Sequence, residues 1–232
     1  MPARREVLAG IAALVGAGAG KGEPRVRTLA GDDFRHGLGQ WAIEAEQPAS
    51  VTARDGVLEI VAPAGLTLWF RPLLSGRIAI DYDLQAVSAG GPFDRVSDAN
   101  CFWMALDPAA PGGDLLARPR DGRFEAYDTL ETYYVGLGGN TNSTTRFRRY
   151  TGRSGDRPLL PENDRRARAD LLVANAWQHL RLTAEDARIT FARDGRTLFD
   201  FHDPAPYRAG RFGLRTTASH LRVRAFTVRA LD

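Results

Sequence analysis

Residues 187–201 read ARITFARDGRTLFDF, and this stretch decides the fold class. Ile189 and Phe191 alternate with Arg188 and Thr190, Asp194-Gly195 follows, and a second short apolar run resumes at Leu198. An Asp-Gly pair between two alternating runs is a strong hairpin signal, because a two-residue turn matching the strand twist needs positive φ at both positions. Working outward, the same period of two recurs in WQHLRLT (177–183), RFGLRTT (211–217) and HLRVRAFTV (220–228). Towards the N-terminus it recurs in RIAIDYDL (77–84) and LTLWF (66–70), and Asp-Gly pairs at 55–56 and 121–122 predict further hairpins or tight turns. After residue 20 no segment holds a helical stripe for three turns. Many short strands with regular turns predict an all-β, two-sheet antiparallel jelly-roll sandwich, and 232 residues suit one such domain. The Pro-, Gly- and charge-rich stretches 107–121 and 151–169 read as long surface loops within it.

The first twenty residues, MPARREVLAGIAALVGAGAG, carry charge first, a short apolar core next and small residues last. That is the secretory pattern, and the Arg4-Arg5 pair points to the twin-arginine route. The expected organisation is a leader over 1–20 and one domain over 21–232, periplasmic or secreted, with no membrane insertion of the mature protein. The net charge is only +3 and the arginines are dispersed, which argues against a nucleic-acid partner. Lys21 is the only lysine, so an arginine gains meaning only from its position. Cys101, the single cysteine, excludes an internal disulfide and sits in the apolar run NCFWMAL, where a small buried hydrophobe is expected. Cysteine and histidine give no zinc spacing, and no cofactor motif follows the leader.

Residues 127–150, YDTLETYYVGLGGNTNSTTRFRRY, hold the densest unusual chemistry. Two strands joined by a Gly-Gly-Asn-rich turn would put Tyr133, Val135 and Leu137 on the core face and Tyr134, Gly136 and Gly138 on the other. A tyrosine beside positions without side chains offers a surface for close approach of a flat ligand, although a glycine-marked bulge explains the same pattern. On the return strand Phe147 faces the core, while Arg146 and Arg148 share the opposite face, with Asn140 or Asn142 at its edge. A second polar cluster, DRVSDAN (94–100), offers Asp94, Asp98 and Asn100 as acids, hydrogen-bonding groups or oxygen ligands for a structural calcium ion. The alternative there is a loop whose Asp and Asn cap their own backbone. His220 opens the terminal strand, and Trp41, Trp69, Trp103 and Trp177, all in strand-like runs, offer stacking surfaces or core.

The stretches WFRPLLSGRIAIDYD, DRVSDANCFWMA, YYVGLGGNTNSTTRFRRY and GRFGLRTTASH resemble an uncharacterised bacterial family of concanavalin A-like jelly rolls of the lectin and glucanase type. The resemblance covers about 30–231. It implies an exported protein associated with polysaccharide degradation, and supplies no catalytic residue.

A polysaccharide partner can be served in three ways. Hydrolysis needs two carboxylates across the scissile bond, and no E-x-D-x-x-E pattern is present; Asp81 and Asp83 share a strand face that could equally be an exposed edge. Cleavage of a uronate-containing glycan by β-elimination needs a group that neutralises the carboxylate, a base and an acid. The residues concentrated here suit that reaction. Arg146 and Asn140 are expected to bind the carboxylate, with Tyr134 as base, acid or both and His220 as the other proton carrier. Arg148, Asn142, Asn100, Asp98 and Trp103 would line neighbouring substrate contacts. Non-catalytic carbohydrate binding would use the same face without proton transfer. A polysaccharide lyase is the favoured expectation, with a glycoside hydrolase or binding protein as the alternatives.

Overall fold

The computed structural model describes residues 27–231, and the expected leader lies outside them. Its first eight strands are β1 (Thr28–Asp32), β2 (Trp41–Ala45), β3 (Ser50–Arg54), β4 (Val57–Ala62), β5 (Leu66–Phe70), β6 (Leu74–Ser75), β7 (Ile78–Ala86) and β8 (Asn100–Leu106). The rest are β9 (Glu131–Gly138), β10 (Thr144–Thr151), β11 (Asp164–Arg165), β12 (Gln178–Glu185), β13 (Arg188–Arg193), β14 (Arg196–His202), β15 (Ala209–Thr216) and β16 (Ser219–Ala230). One antiparallel sheet runs β14-β13-β12-β7-β16-β4-β3, with β1 also on β16; the other runs β11-β10-β9-β8-β15-β5-β2, with β6 on β15. The two face each other as the expected jelly-roll sandwich.

Alternation explains the layers. Ile78, Ile80, Tyr82 and Leu84 of β7 and Leu180 and Leu182 of β12 meet Cys101, Trp103, Tyr133, Val135 and Phe147 of the second sheet in one buried core. Cys101 is inside it, and burial pushes its thiol pKa up to about 12, which leaves an inert thiol. β16 serves two neighbours because it bulges: its register on β7 shifts between Arg224 and Thr227, with Ala225 at φ 55°. Its first half pairs with β4 and its second with β1.

Asp55-Gly56 and Asp194-Gly195 form the anticipated tight turns, all four residues at positive φ. Asp121-Gly122 does not join two strands. Gly122 instead lies against the end of β2, where a Cβ would stand 2.3 Å from the Glu46 nitrogen. Asp81 and Asp83 are not on an edge strand either: β7 lies between β12 and β16, and both carboxylates are spent in ion pairs with Arg181, Arg224 and Arg229, with His179 hydrogen-bonded to Asp83.

The outer face of the second sheet carries a further apolar layer, and this layer shapes the site. Trp69, Phe102, Tyr134 and Tyr150 from the sheet pack with Leu115, Tyr127 and Leu130 from the segment 107–130. That segment, read from sequence as a surface loop over 107–121, is a cover folded into three short 3₁₀ turns, Pro111–Gly113, Leu115–Ala117 and Phe124–Tyr127. Buried Glu44 pins it by accepting hydrogen bonds from the Arg120 amide at 2.8 Å, Tyr127 Oη at 2.9 Å and Trp69 Nε1 at 2.9 Å. The second expected loop, 151–169, returns at Asp164–Arg165 as edge strand β11 beside β10.

Candidate functional site

The β9–β10 hairpin supplies one side of a cleft of about 410 Å³, within the range of ligand pockets. Its register sets Arg148 opposite Tyr134 and Arg146 opposite Gly136. Tyr134 in turn faces Phe102, and on β15 Arg215 faces Asn100 and then Thr67. Two cross-strand rows result. The row through Tyr134 and Phe102 is aromatic and packs against the cover with Tyr134 also lining the cleft, whereas the row containing Arg146, Gly136, Asn100 and Arg215 forms its polar floor, the Arg215 end buried beneath the cover. Asp98, Glu46, Arg123, Phe124 and Glu125 line the surrounding rim.

Gly136 leaves room for a close approach. A Cβ there would stand 3.1 Å from Tyr134 Oη and 3.3 Å from the ring, so the phenol lies directly across the glycine. The turn after β9 is strained. Asn140, Thr141 and Asn142 hold φ of 54°, 58° and 55°, and a β-branched residue in that region is uncommon. Side chains over-determine it: Asn142 bonds the Leu172 backbone in both directions, at 2.9 and 3.0 Å, and Asn140 Nδ2 donates to Thr144 Oγ1 at 3.0 Å. Such strain held by neighbours clusters at functional sites.

Asn140, Arg146, Arg148, Tyr134, Asn100 and Asp98 therefore meet at one cleft. Three of the other sequence candidates stand elsewhere. His220 is not beside Tyr134: it lies on β16, in the other sheet, between Asp94 Oδ1 at 2.7 Å and Glu59 Oε1 at 3.0 Å. Period-two reading located the residue on a strand but could not assign the strand to a sheet. Trp103 is wholly buried in the core, its indole nitrogen donating to the Thr183 carbonyl at 3.3 Å, so it cannot touch a substrate. Asn142 is occupied with Leu172 and holds the turn rather than the cleft. Trp41 and Trp69 are buried as well, while Trp177 precedes β12 and stays partly exposed.

Local partners set what each group can do. Arg146 gives Nε and Nη2 to Asp164 at 3.0 and 3.2 Å, and that guanidinium holds the Asp164 carboxyl down at about 2. Its bidentate edge is thereby used, which revises its expected role as the carboxylate clamp. Arg148 donates to the Arg157 carbonyl, and burial lowers its pKa. Arg215, which sequence reading passed over, is 4% exposed and donates only to neutral oxygens, Thr67 Oγ1 and the Gly122 carbonyl, both at 2.9 Å. Its guanidinium lies 5.0 Å from the Phe124 ring centre and 4.8 Å from that of Tyr127. Asn100, 6% exposed, has an Oδ1 buried without a partner among the described residues. Burial raises the Tyr134 phenol well above the ordinary tyrosine range, so it stays protonated. Asp98 Oδ2 accepts from Ser97 and from Arg95 at 3.0 Å, leaving Oδ1 for the cleft.

The clamp around His220 supports this wall indirectly. Asp94 also accepts from the Ala89 and Gly91 amides, which fixes the loop that leads to Asp98 and Asn100. With His220 and Arg222 as hydrogen-bond donors, Glu59 is held below its ordinary pKa; the Gly91 amide and then His220 do the same for Asp94. Depressed folded-state values contribute stability above the unfolded values and lose it as pH falls through the folded ones. Melting temperature should drop between about pH 5 and about pH 3, and His220→Gln should make that drop shallower. An equally steep drop in the variant would show that the clamp contributes nothing. Among the described residues no group of three or more His, Cys, Asp or Glu could hold a metal ion, and Asp94 and Asp98 are engaged by protein donors.

A family model described as "Domain of unknown function (DUF6250)" matches residues 60–226. The chain belongs to the DUF6250 family. The DUF6250 match spans β5 to β15 entire, and so includes the hairpin and every strand of the cleft floor, while β2 lies before it. A comparison with curated proteins finds no match. Among solved structures, a Bacillus subtilis protein of unknown function with a galectin-like fold is similar at a TM-score of 0.66 and 15% identity, over 88% of this chain and 96% of that one. The carbohydrate binding module CBM66 from Bacillus subtilis is similar at 0.56 and 13%, over 83% and 97%. A prokaryotic β-1,3-1,4-glucanase (lichenase) derived from a mouse hindgut metagenome is similar at 0.53 and 11%, over 87% and 98%. At such identities the likeness establishes the shared fold.

Proposed function

We propose that this cleft binds a uronate-containing glycan and cleaves it by β-elimination. The observation that carries the reading is Arg215, a guanidinium withdrawn from water with no carboxylate within 4.0 Å among the described residues, set opposite the unpartnered Asn100 oxygen. A buried cation without a counter-charge is costly, and an anionic ligand relieves that cost. The fold supports sugar as the ligand class, since it is shared with a carbohydrate binding module and a lichenase. Export through the Arg4-Arg5 leader belongs to the same reading and would bring the domain to polysaccharides outside the cytoplasm.

The chemistry follows from the residues on the floor. Arg215, with Arg148, neutralises the uronate carboxylate and so acidifies the proton on the adjacent carbon, C5. Asp98 Oδ1 takes that proton. As the C4–C5 double bond forms, the bond from C4 to the glycosidic oxygen breaks, and the Tyr134 phenol gives its proton to the leaving oxygen. A neutral, buried phenol suits the acid role, which narrows the earlier expectation of base, acid or both. A second reading has its own observation. Glu46, Asp98 and Glu125 line the same cleft, and two carboxylates about 5–9.5 Å apart would serve hydrolysis.

Arg215→Ala tests the binding step. Retardation in native gels containing polygalacturonate, alginate or glucuronan should weaken by about 100-fold in apparent affinity. Arg148→Ala, a less buried position, should weaken it too and guards against a folding artefact. Undiminished retardation in both variants would overturn the assignment.

A further inference from the structure

The outer face of the first sheet carries a second groove, of about 350 Å³, remote from the cleft because the sandwich lies between them. Its floor is a cross-strand row. Gln85 of β7 faces Arg222 of β16, Arg222 faces Glu59 of β4, and Glu59 faces Thr52 of β3. Trp177 forms its wall.

Trp177 differs from the other tryptophans. Trp41, Trp69 and Trp103 are buried and their indole nitrogens are bonded within the protein, whereas Trp177 is partly exposed and belongs to neither apolar cluster. Its ring is held by Arg224, whose guanidinium carbon lies 4.2 Å from the ring centre. Arg224 is itself fixed by Asp83 at 3.0 Å and does not line the groove, so the ring is oriented in advance without its groove side being filled. The floor keeps free acceptors. Gln85 donates its amide to the Asn175 carbonyl at 2.7 Å, leaving Oε1, and Glu59 uses Oε1 for His220 and Arg222, leaving Oε2.

We propose that this groove is a second glycan-binding surface, one that takes a neutral saccharide. An aromatic wall covers the C–H face of a sugar ring, while amide, carboxylate, guanidinium and hydroxyl groups meet its hydroxyls. Neutrality follows from the charges: Arg54 and Arg222 are balanced by Asp55 and Glu59, in contrast to the cleft, where Arg215 donates only to neutral oxygens. The inference stands on its own observations and survives if the cleft proves not to act on uronates. On an enzyme, such a surface would keep the protein on its polymer while the cleft turns over.

The test is native affinity electrophoresis of the full domain in gels containing β-glucan, xyloglucan, galactan or mannan. Wild-type protein should be retarded in at least one of them. Trp177→Ala should bind it at least about 10-fold more weakly, Trp177→Phe should retain part of the affinity, and Arg215→Ala should behave as wild type. Equal melting temperatures would show that the variants are folded. The proposal is overturned by the absence of retardation in every neutral gel, by retardation that Trp177→Ala leaves unchanged, or by retardation that only Arg215→Ala removes.

Discussion

Tyr134→Phe is expected to lower turnover by about three orders of magnitude while fold and glycan binding persist. The ring is held by packing rather than by its hydroxyl. Its centre lies 4.9 Å from that of Phe102, 5.5 Å from Tyr150 and 5.7 Å from Phe124, and phenylalanine keeps all three contacts. The hydroxyl makes no hydrogen bond among the described residues, so its removal orphans no partner and costs little stability. What disappears is the one neutral acid on the cleft floor. Initial rates on a responsive polymer, together with a melting curve, separate the two effects. A Phe variant as fast as wild type would remove Tyr134 from the chemistry.

Asp203→Ala should have the largest effect on stability, about 4 kcal/mol. Asp203 is buried and receives Tyr133 Oη and Arg149 Nε, both at 2.7 Å, and the Ala205 amide at 2.9 Å. Burial by itself would raise its pKa, yet these donors hold it below the ordinary range. The Tyr133 hydroxyl also accepts from the Tyr207 amide at 3.1 Å, so the network ties β9 to the chain between β14 and β15. Alanine leaves a buried phenol and a guanidinium without their acceptor, which is the costly way to break a buried pair. Melting temperature should fall by roughly 10 °C. A fall of a degree or two would show that water replaces the carboxylate without penalty. Because Tyr133 lies behind the cleft floor, residual activity should track the folded fraction.

The fold was legible because its determinants are local. Period-two alternation in 77–84 and 187–201 fixes which side chains face the core between the sheets, and Asp-Gly at 55–56 and 194–195 fixes two turns. The β9–β10 hairpin was readable for the same reason, so Tyr134, Arg146 and Arg148 fall on one face as their spacing requires. What could not be read is non-local. His220 needed a sheet assignment, and Asp164, which takes the bidentate edge of Arg146, arrives from beyond a long loop. Arg215 was missed because RFGLRTT looks like any alternating strand. Its outward parity with Gly213 was available, but the neighbours Asn100 and Thr67 that give it meaning come from strand order. The cover was missed because 107–121 is rich in Pro and Gly, and its anchoring at buried Glu44 depends on a strand far earlier in the chain.

The most direct test of the central claim is absorbance at about 235 nm during incubation of the purified domain with polygalacturonate, alginate and glucuronan, because elimination creates an unsaturated uronate and hydrolysis does not. A rise on at least one polymer is expected, abolished by Tyr134→Phe and by Arg215→Ala. A flat trace on every one, with new reducing ends or with gel retardation alone, would contradict elimination and pass the cleft to the carboxylates of its rim or to binding without catalysis.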